Sequence, residues 1–167
     1  MKQKNYIILI LSIVLMTACN SKAKEFRSPD GKVKLVLPSD WVEYDDEEPG
    51  VYAFFNEKTW TGNFRITPIY IKTGADQADN KLGKFIETEL SENKGAVRFK
   101  LGQFDCVHYQ KEITQEGEEL TMFFWSLKQG NRIYVSSLTV DKARSEQSSY
   151  RDIVEEVQGI VESIESV

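Results

Sequence analysis

Residues 104–140 read FDCVHYQKEITQEGEELTMFFWSLKQGNRIYVSSLTV, and no other stretch of the chain carries so strong a strand signal. Three runs, Phe104–Gln115, Glu119–Lys128 and Arg132–Val140, are rich in β-branched and aromatic residues. Glu116-Gly117 and Gln129-Gly-Asn131 separate them, and both connections suit hairpins, so the runs predict consecutive antiparallel strands. Within Met122–Leu127 apolar residues sit at successive positions. Successive strand side chains point to opposite faces, so this sheet is apolar on both sides and needs cover on both.

Working outward, Ala96–Leu101 predicts a further strand. Between Ala75 and Asn93 the period changes: Leu82, Phe85, Ile86 and Leu90 fall at helical spacing, and Lys94-Gly95 supplies a stop. Val51–Asn56 and Phe64–Lys72 read as strands joined by Glu57–Asn63, with Pro68 placing the second at an edge or bulge. Phe26–Pro38 predicts a hairpin about Ser28-Pro-Asp-Gly31, with Val33, Leu35 and Leu37 on one face and Pro38-Ser-Asp-Trp41 as its end. Asp45-Asp-Glu-Glu48 before Pro49-Gly50 reads as a solvated acidic loop.

Tyr150, Ile153, Val154, Val157, Ile160, Val161 and Ile164 form an apolar stripe that predicts a helix from about Ser145 to Glu165. Gly159 inside it costs ~1 kcal/mol relative to Ala, so packing must hold this helix. The expectation is an α+β fold: a mainly antiparallel sheet of about seven strands with a helix on each face.

The whole chain has 167 residues, 41% hydrophobic and 28% charged, with 21 Lys+Arg against 26 Asp+Glu. That is one globular domain of ordinary size. The acidic balance argues against a nucleic-acid surface, which needs clustered cations. One His and two Cys leave little for a transition-metal site.

Residues 1–18 read as an export signal: Lys2 and Lys4, an apolar run from Tyr6 to Met16, then small residues. Eleven helical residues rise only ~16 Å, about half a hydrocarbon core. Thr17-Ala18-Cys19 resembles the lipobox of bacterial lipoproteins, with Met16 where that family usually carries Leu. The resemblance implies cleavage between Ala18 and Cys19 and a diacylglyceryl group on the Cys19 thiol. Two or more acyl chains hold a protein stably on a bilayer. Residues 19–24 would then be a tether and 25–167 the folded domain, outside the cytoplasm on the cell membrane or outer membrane. Asn20, rather than Asp, leans toward the outer membrane in a two-membrane host. Cleavage removes Lys2 and Lys4 and no acid, leaving 19 basic and 26 acidic residues, net −7. Lipid rather than surface charge would supply attachment.

Phe26-Arg-Ser-Pro-Asp-Gly-Lys32, the strand from Val33 to Leu37, and Pro38-x-x-Trp41 resemble the opening of PsbP-like and DcrB-like domains. The later order of hairpin, middle helix, antiparallel strands and final amphipathic helix is similar to theirs as well. The resemblance implies an α/β/α sandwich serving as a binding or accessory module, and carries no catalytic residues across.

Cys106 and His108, two apart on a strand, share a face and could ligate a metal or form an activated thiol. No second Cys/His pair or third orienting group accompanies them, so a core placement is expected, with no disulfide once Cys19 is lipidated. The acidic run 45–48 lacks the spacing and central Gly of a calcium loop. Trp41 and Trp125 fall in strand or strand-end patterns and are expected in the core. Trp60 differs: with Thr61 and Asn63 it lies in a loop between strands, where an aromatic side chain suits partner or sugar contacts. These three residues are the expected partner contact.

No phosphate loop, dinucleotide fingerprint, Gly-x-Ser-x-Gly elbow or His-Glu-x-x-His occurs. The expectation is a non-enzymatic envelope lipoprotein with no metal or cofactor, binding a protein partner and no nucleic acid. Alternatives are a binder of a small apolar ligand or lipid between sheet and helix, an immunity lipoprotein, or a hydrolase using unrecognised carboxylates.

Overall fold

The computed structural model describes residues 23–71 and 75–166; Ala18 and Cys19 lie outside them. In chain order the elements are β1 (Lys24–Arg27), β2 (Val33–Leu37), β3 (Trp41–Tyr44), β4 (Tyr52–Asn56), β5 (Asn63–Tyr70), α1 (Ala75–Glu92), β6 (Val97–Leu101), β7 (Phe104–Gln115), β8 (Glu118–Gln129), β9 (Arg132–Asp141), α2 (Lys142–Ser145), α3 (Tyr150–Glu162) and β10 (Glu165–Ser166). Seven strands form the main sheet, in the order β3-β4-β5-β9-β8-β7-β6. Every neighbouring pair in it is antiparallel. The fold is the α+β sandwich that the strand and helix patterns predict.

The cover of the two faces differs from expectation. Ile86 of α1 packs with Val107 and Tyr109 on one face, joined by Phe85, Leu90 and Phe124. On the other, α3 supplies Val157, Ile160 and Val161, but β2 adds Val33, Leu35 and Leu37 beside it. The predicted opening hairpin is therefore not part of the main sheet. It forms a separate three-stranded sheet, β1-β2-β10, that shares the work of α3. Pro38 does not end the strand region either. Trp41 donates its amide N–H to the Pro38 carbonyl across a tight turn (3.1 Å), and the chain resumes at once as β3. The Trp41 indole N–H then donates to Glu156 of α3.

Pro68 is tolerated inside the sheet because β4 pairs with β5 only over Asn63–Ile66. Pro68 faces Tyr134 of β9 on one side and has no strand on the other, so its missing N–H breaks no ladder. The last helix begins at Tyr150, later than the stripe predicts. Asp141 caps the short α2 by accepting the Arg144 N–H at 3.1 Å, and the chain turns before α3 starts. Ile164 follows the end of α3 and is fully buried.

Asp30 explains the Ser-Pro-Asp-Gly turn. Its Oδ1 accepts from the Ser28 hydroxyl (2.8 Å), the Lys32 amide (3.1 Å) and the Tyr52 hydroxyl (2.6 Å), tying the small sheet to β4. Partial burial pushes the Asp30 carboxyl pKa up, but the hydrogen bonds from Lys32, Tyr52 and Ser28 outweigh it and hold the group well below the usual range. A carboxylate with a lowered folded pKa contributes stability at neutral pH and loses it as pH falls through the folded value. The difference in urea midpoint between wild type and Asp30→Asn should thus be largest above pH ~5 and shrink steadily below pH ~4. A gap constant from pH 7 to pH 2.5 would refute this role.

Candidate functional site

Among the described residues, the bonds from α1 to the sheet run to β6, β7 and β8. Glu87 pairs with Arg98, Glu89 accepts from Tyr109 (2.6 Å) and Ser126 (3.1 Å), and Asp79 pairs with Lys128 (2.6 Å). Beyond α1, the same face opens into a groove of about 520 Å³ at the end of the sheet. Asn63 and Arg65 of β5, Thr139 of β9 and Met122 of β8 line it. The register puts them on one face, with Asn63 opposite Thr139 and Met122 opposite Thr139 on its other side. Three walls close the groove: the β4–β5 loop with Trp60, the β7–β8 turn with Glu116 and Glu118, and α2 with Arg144.

Trp60 is 62% exposed, and its loop is braced at every turn. Asn56 Oδ1 accepts from the Lys58 and Thr59 amides (3.1 and 3.2 Å), and the Trp60 N–H donates to the Asn56 carbonyl (2.9 Å). The Arg144 guanidinium donates to the carbonyls of Trp60 and Thr59, the latter at 3.0 Å. The Tyr150 hydroxyl of α3 donates to the Thr61 carbonyl at 2.7 Å. Trp60 itself has φ +47°, a conformation uncommon outside glycine that survives only where surroundings enforce it. Its indole stacks on Phe55 of β4, centroids 4.8 Å apart and planes 29° apart. One aromatic face is thereby supported while the side chain as a whole stays exposed.

Of the three expected contact residues, Trp60 and Asn63 reach the surface at this groove. Thr61 is only 5% exposed and turns inward between them. Sequence reasoning missed Arg144 and Tyr150, which lie more than eighty residues from the loop they hold. The acidic loop is also less solvated than expected. The Asp46 side chain is 1% exposed and its Oδ2 lies 2.8 Å from Arg65 Nε, while Oδ1 accepts the Glu48 amide at 2.9 Å. Arg65 is matched by Asp46, whereas Arg144, Asp141, Glu116 and Glu118 also line the groove, leaving three acids to one further cation.

Cys106 and His108 do share a face, as their spacing predicts, and neither lines the groove: Cys106 belongs to the packed core and His108 is half-buried. Cys106 is fully buried, and burial pushes its thiol up to about 12, so almost no thiolate forms at neutral pH. His108 lies against Trp125 at 4.8 Å between centroids. Its Nδ1 is 2.8 Å from the Phe124 carbonyl, which can only accept, so Nδ1 carries the proton. Burial lowers the His108 pKa, partly opposed by that hydrogen bond. Trp41 and Trp125 are fully buried.

A family model described as a domain of unknown function (DUF3805) matches residues 21–164. The chain belongs to this family. Among solved structures, the DUF3805 chain is similar to a protein of Bacteroides thetaiotaomicron VPI-5482, at 30% identity and a TM-score of 0.67. That match covers 86% of this chain and 48% of the other, so the chain spans about half of that protein's length. It is also similar to the cyanobacterial PsbP (CyanoP) of Synechocystis sp. PCC 6803, at 13% identity and TM-score 0.42, covering 88% of this chain and 94% of CyanoP. LpqN, involved in cell envelope biogenesis of Mycobacterium tuberculosis, is similar at 13% identity and TM-score 0.49, with 86% and 89% covered. No curated protein matches the DUF3805 chain.

Proposed function

We propose that this DUF3805 chain is an envelope lipoprotein anchored through Cys19, and that its domain is a non-enzymatic module binding an envelope protein in the groove beside Trp60. The observation that carries the reading is the braced loop. An exposed indole whose backbone is already fixed gives contact area with little ordering left to lose on binding. Tryptophan supported from behind and surrounded by polar walls has the make-up of an interface anchor. Among the described residues no helix is long and apolar enough to cross a membrane; what supports attachment through lipid is the resemblance of Thr17-Ala18-Cys19 to a lipobox.

The apolar-ligand alternative has less support. The sheet–α3 interface is filled by Phe104, Trp125, Leu127, Val157 and Val161 in one packed cluster, and the groove walls are mainly polar.

Cross-linking in intact cells tests the reading, with mass spectrometry of what the tagged chain captures. Asn63→Arg places a long cation on the groove floor at an exposed position and should leave the melting temperature within about 2 °C of wild type. It should lower capture of the protein that wild type takes in near-equal amount by at least about fivefold, a loss of ~1 kcal/mol. Capture unchanged by this variant would place the partner elsewhere on the domain.

A further inference from the structure

We propose that the Trp60 end of the sheet rests on the bilayer, with the Trp60 indole in its interfacial layer. This rests on the proposed function for its premise of lipid on Cys19, and it gives the outer edge of the indole to lipid while the groove floor at Asn63 and Arg65 stays open to the protein partner. The first described strand starts at Lys24, five steps of chain after Cys19. Even fully extended, five residues reach at most about 18 Å. A domain of this length has a radius of gyration of about 15 Å and so a width near twice that tether. The end of the domain from which Lys24 emerges would therefore stay within about 18 Å of the membrane, less than the width of the domain.

That end also carries Trp60. Lys24 pairs with Leu37 in the small sheet, and β2 runs straight on into the turn that holds Asp40. The Asp40 carbonyl accepts the Glu57 N–H at 2.9 Å, and its carboxylate binds Lys58 Nζ at 2.7 Å. Lys24 is close enough to help lower the Asp40 carboxyl pKa, behind the hydrogen bonds from Lys58 and Ser39. From tether to Trp60 the surface is thus continuous through Asp40 and Lys58. Tryptophan is the residue that bilayer interfaces enrich, an apolar ring with one polar edge. Here it is the most exposed large hydrophobic side chain among the described residues, at 62%. Glu57 stands beside it, and Glu116 and Glu118 stand across the groove, so contact with lipid would come from the indole and not from net charge.

The test uses the full lipidated chain in phosphatidylcholine vesicles, with the lipids brominated near the glycerol end of their acyl chains. Trp41 and Trp125 are fully buried, which leaves Trp60 as the indole open to quenchers. Brominated lipid should quench a substantial part of the emission, acrylamide quenching should fall severalfold relative to the Cys19→Ser chain free in solution, and both effects should vanish in Trp60→Phe. A chain that floats with the vesicles yet shows neither effect overturns the contact and leaves the anchoring intact. A chain purified from cells that carries no acyl group on Cys19 and does not float overturns both.

Discussion

Replacing Gly62 with alanine should lower the melting temperature by about 10 °C and unseat the Trp60 loop, which corresponds to ~3 kcal/mol in a domain of this size. Two costs combine. Gly62 has φ +127°, a region nearly closed to residues with a Cβ, and holding one there costs ~1–3 kcal/mol. A Cβ at this position would also sit 2.5 Å from the Thr139 carbonyl oxygen, which is backbone and cannot rotate aside. The pair Asn63–Thr139 that opens the β5–β9 ladder must then separate. Gly50 gives the control: φ is +83° and nothing lies within 4 Å of its would-be Cβ. Gly50→Ala should carry only the conformational cost, ~1 kcal/mol. Thermal unfolding followed by circular dichroism separates the two variants. Equal losses would mean that the approach of β9 to the loop is not what requires glycine at 62.

How much of this was legible in the sequence depends on how local each feature is. The hairpins from Phe104 to Asp141 announce themselves because alternation, two-sided apolarity and short Gly-containing turns agree over consecutive residues. Glu116-Gly117 takes positive φ at both positions, as a tight hairpin turn demands. The α1 stripe was legible for the same reason. By contrast β10 is two residues long and exists only because it pairs with β2 from more than 125 residues away. Nothing local marks it, and without it the opening hairpin reads as an ordinary member of the main sheet. The strand β3 was hidden by Pro38, which looks like a terminator but merely bends the chain.

The groove was illegible because three separated segments build it. Trp60 could be singled out from its neighbours in sequence, but Arg144 holds its carbonyl and Tyr150 the Thr61 carbonyl from the far end of the chain. Asp46 shows the same limit from the other side. Four acids in a row read as solvated, yet one of them meets Arg65, whose position in β5 follows only from the register. Local pattern reports periodicity and turns, whereas burial of one acid among four is decided by tertiary placement.

Removing the thiol of residue 19 should move the domain almost completely from the membrane fraction to the soluble one. The magnitude follows from chain counting. Each buried methylene contributes ~0.8 kcal/mol, so one acyl chain binds marginally and two or more bind stably. Against that, the processed chain carries net −7 and would be repelled by anionic headgroups. A single indole at the interface adds far less than an acyl chain, so Trp60→Ala in the lipidated protein should leave it in the membrane fraction even while its contact is lost. Cys19→Ala would also remove the proposed processing site, and its mass must therefore be measured together with its fraction. A chain still bearing residues 1–18 could be held by the apolar run from Tyr6 to Met16, although ~16 Å of helix covers only half the hydrocarbon core. Replacing residues 1–18 with a signal cleaved without lipidation separates the cases. If that cleaved, thiol-free chain still sediments with membranes after a high-salt wash, which screens surface charge, then protein contacts and not lipid hold it there, and Cys19 is not the anchor.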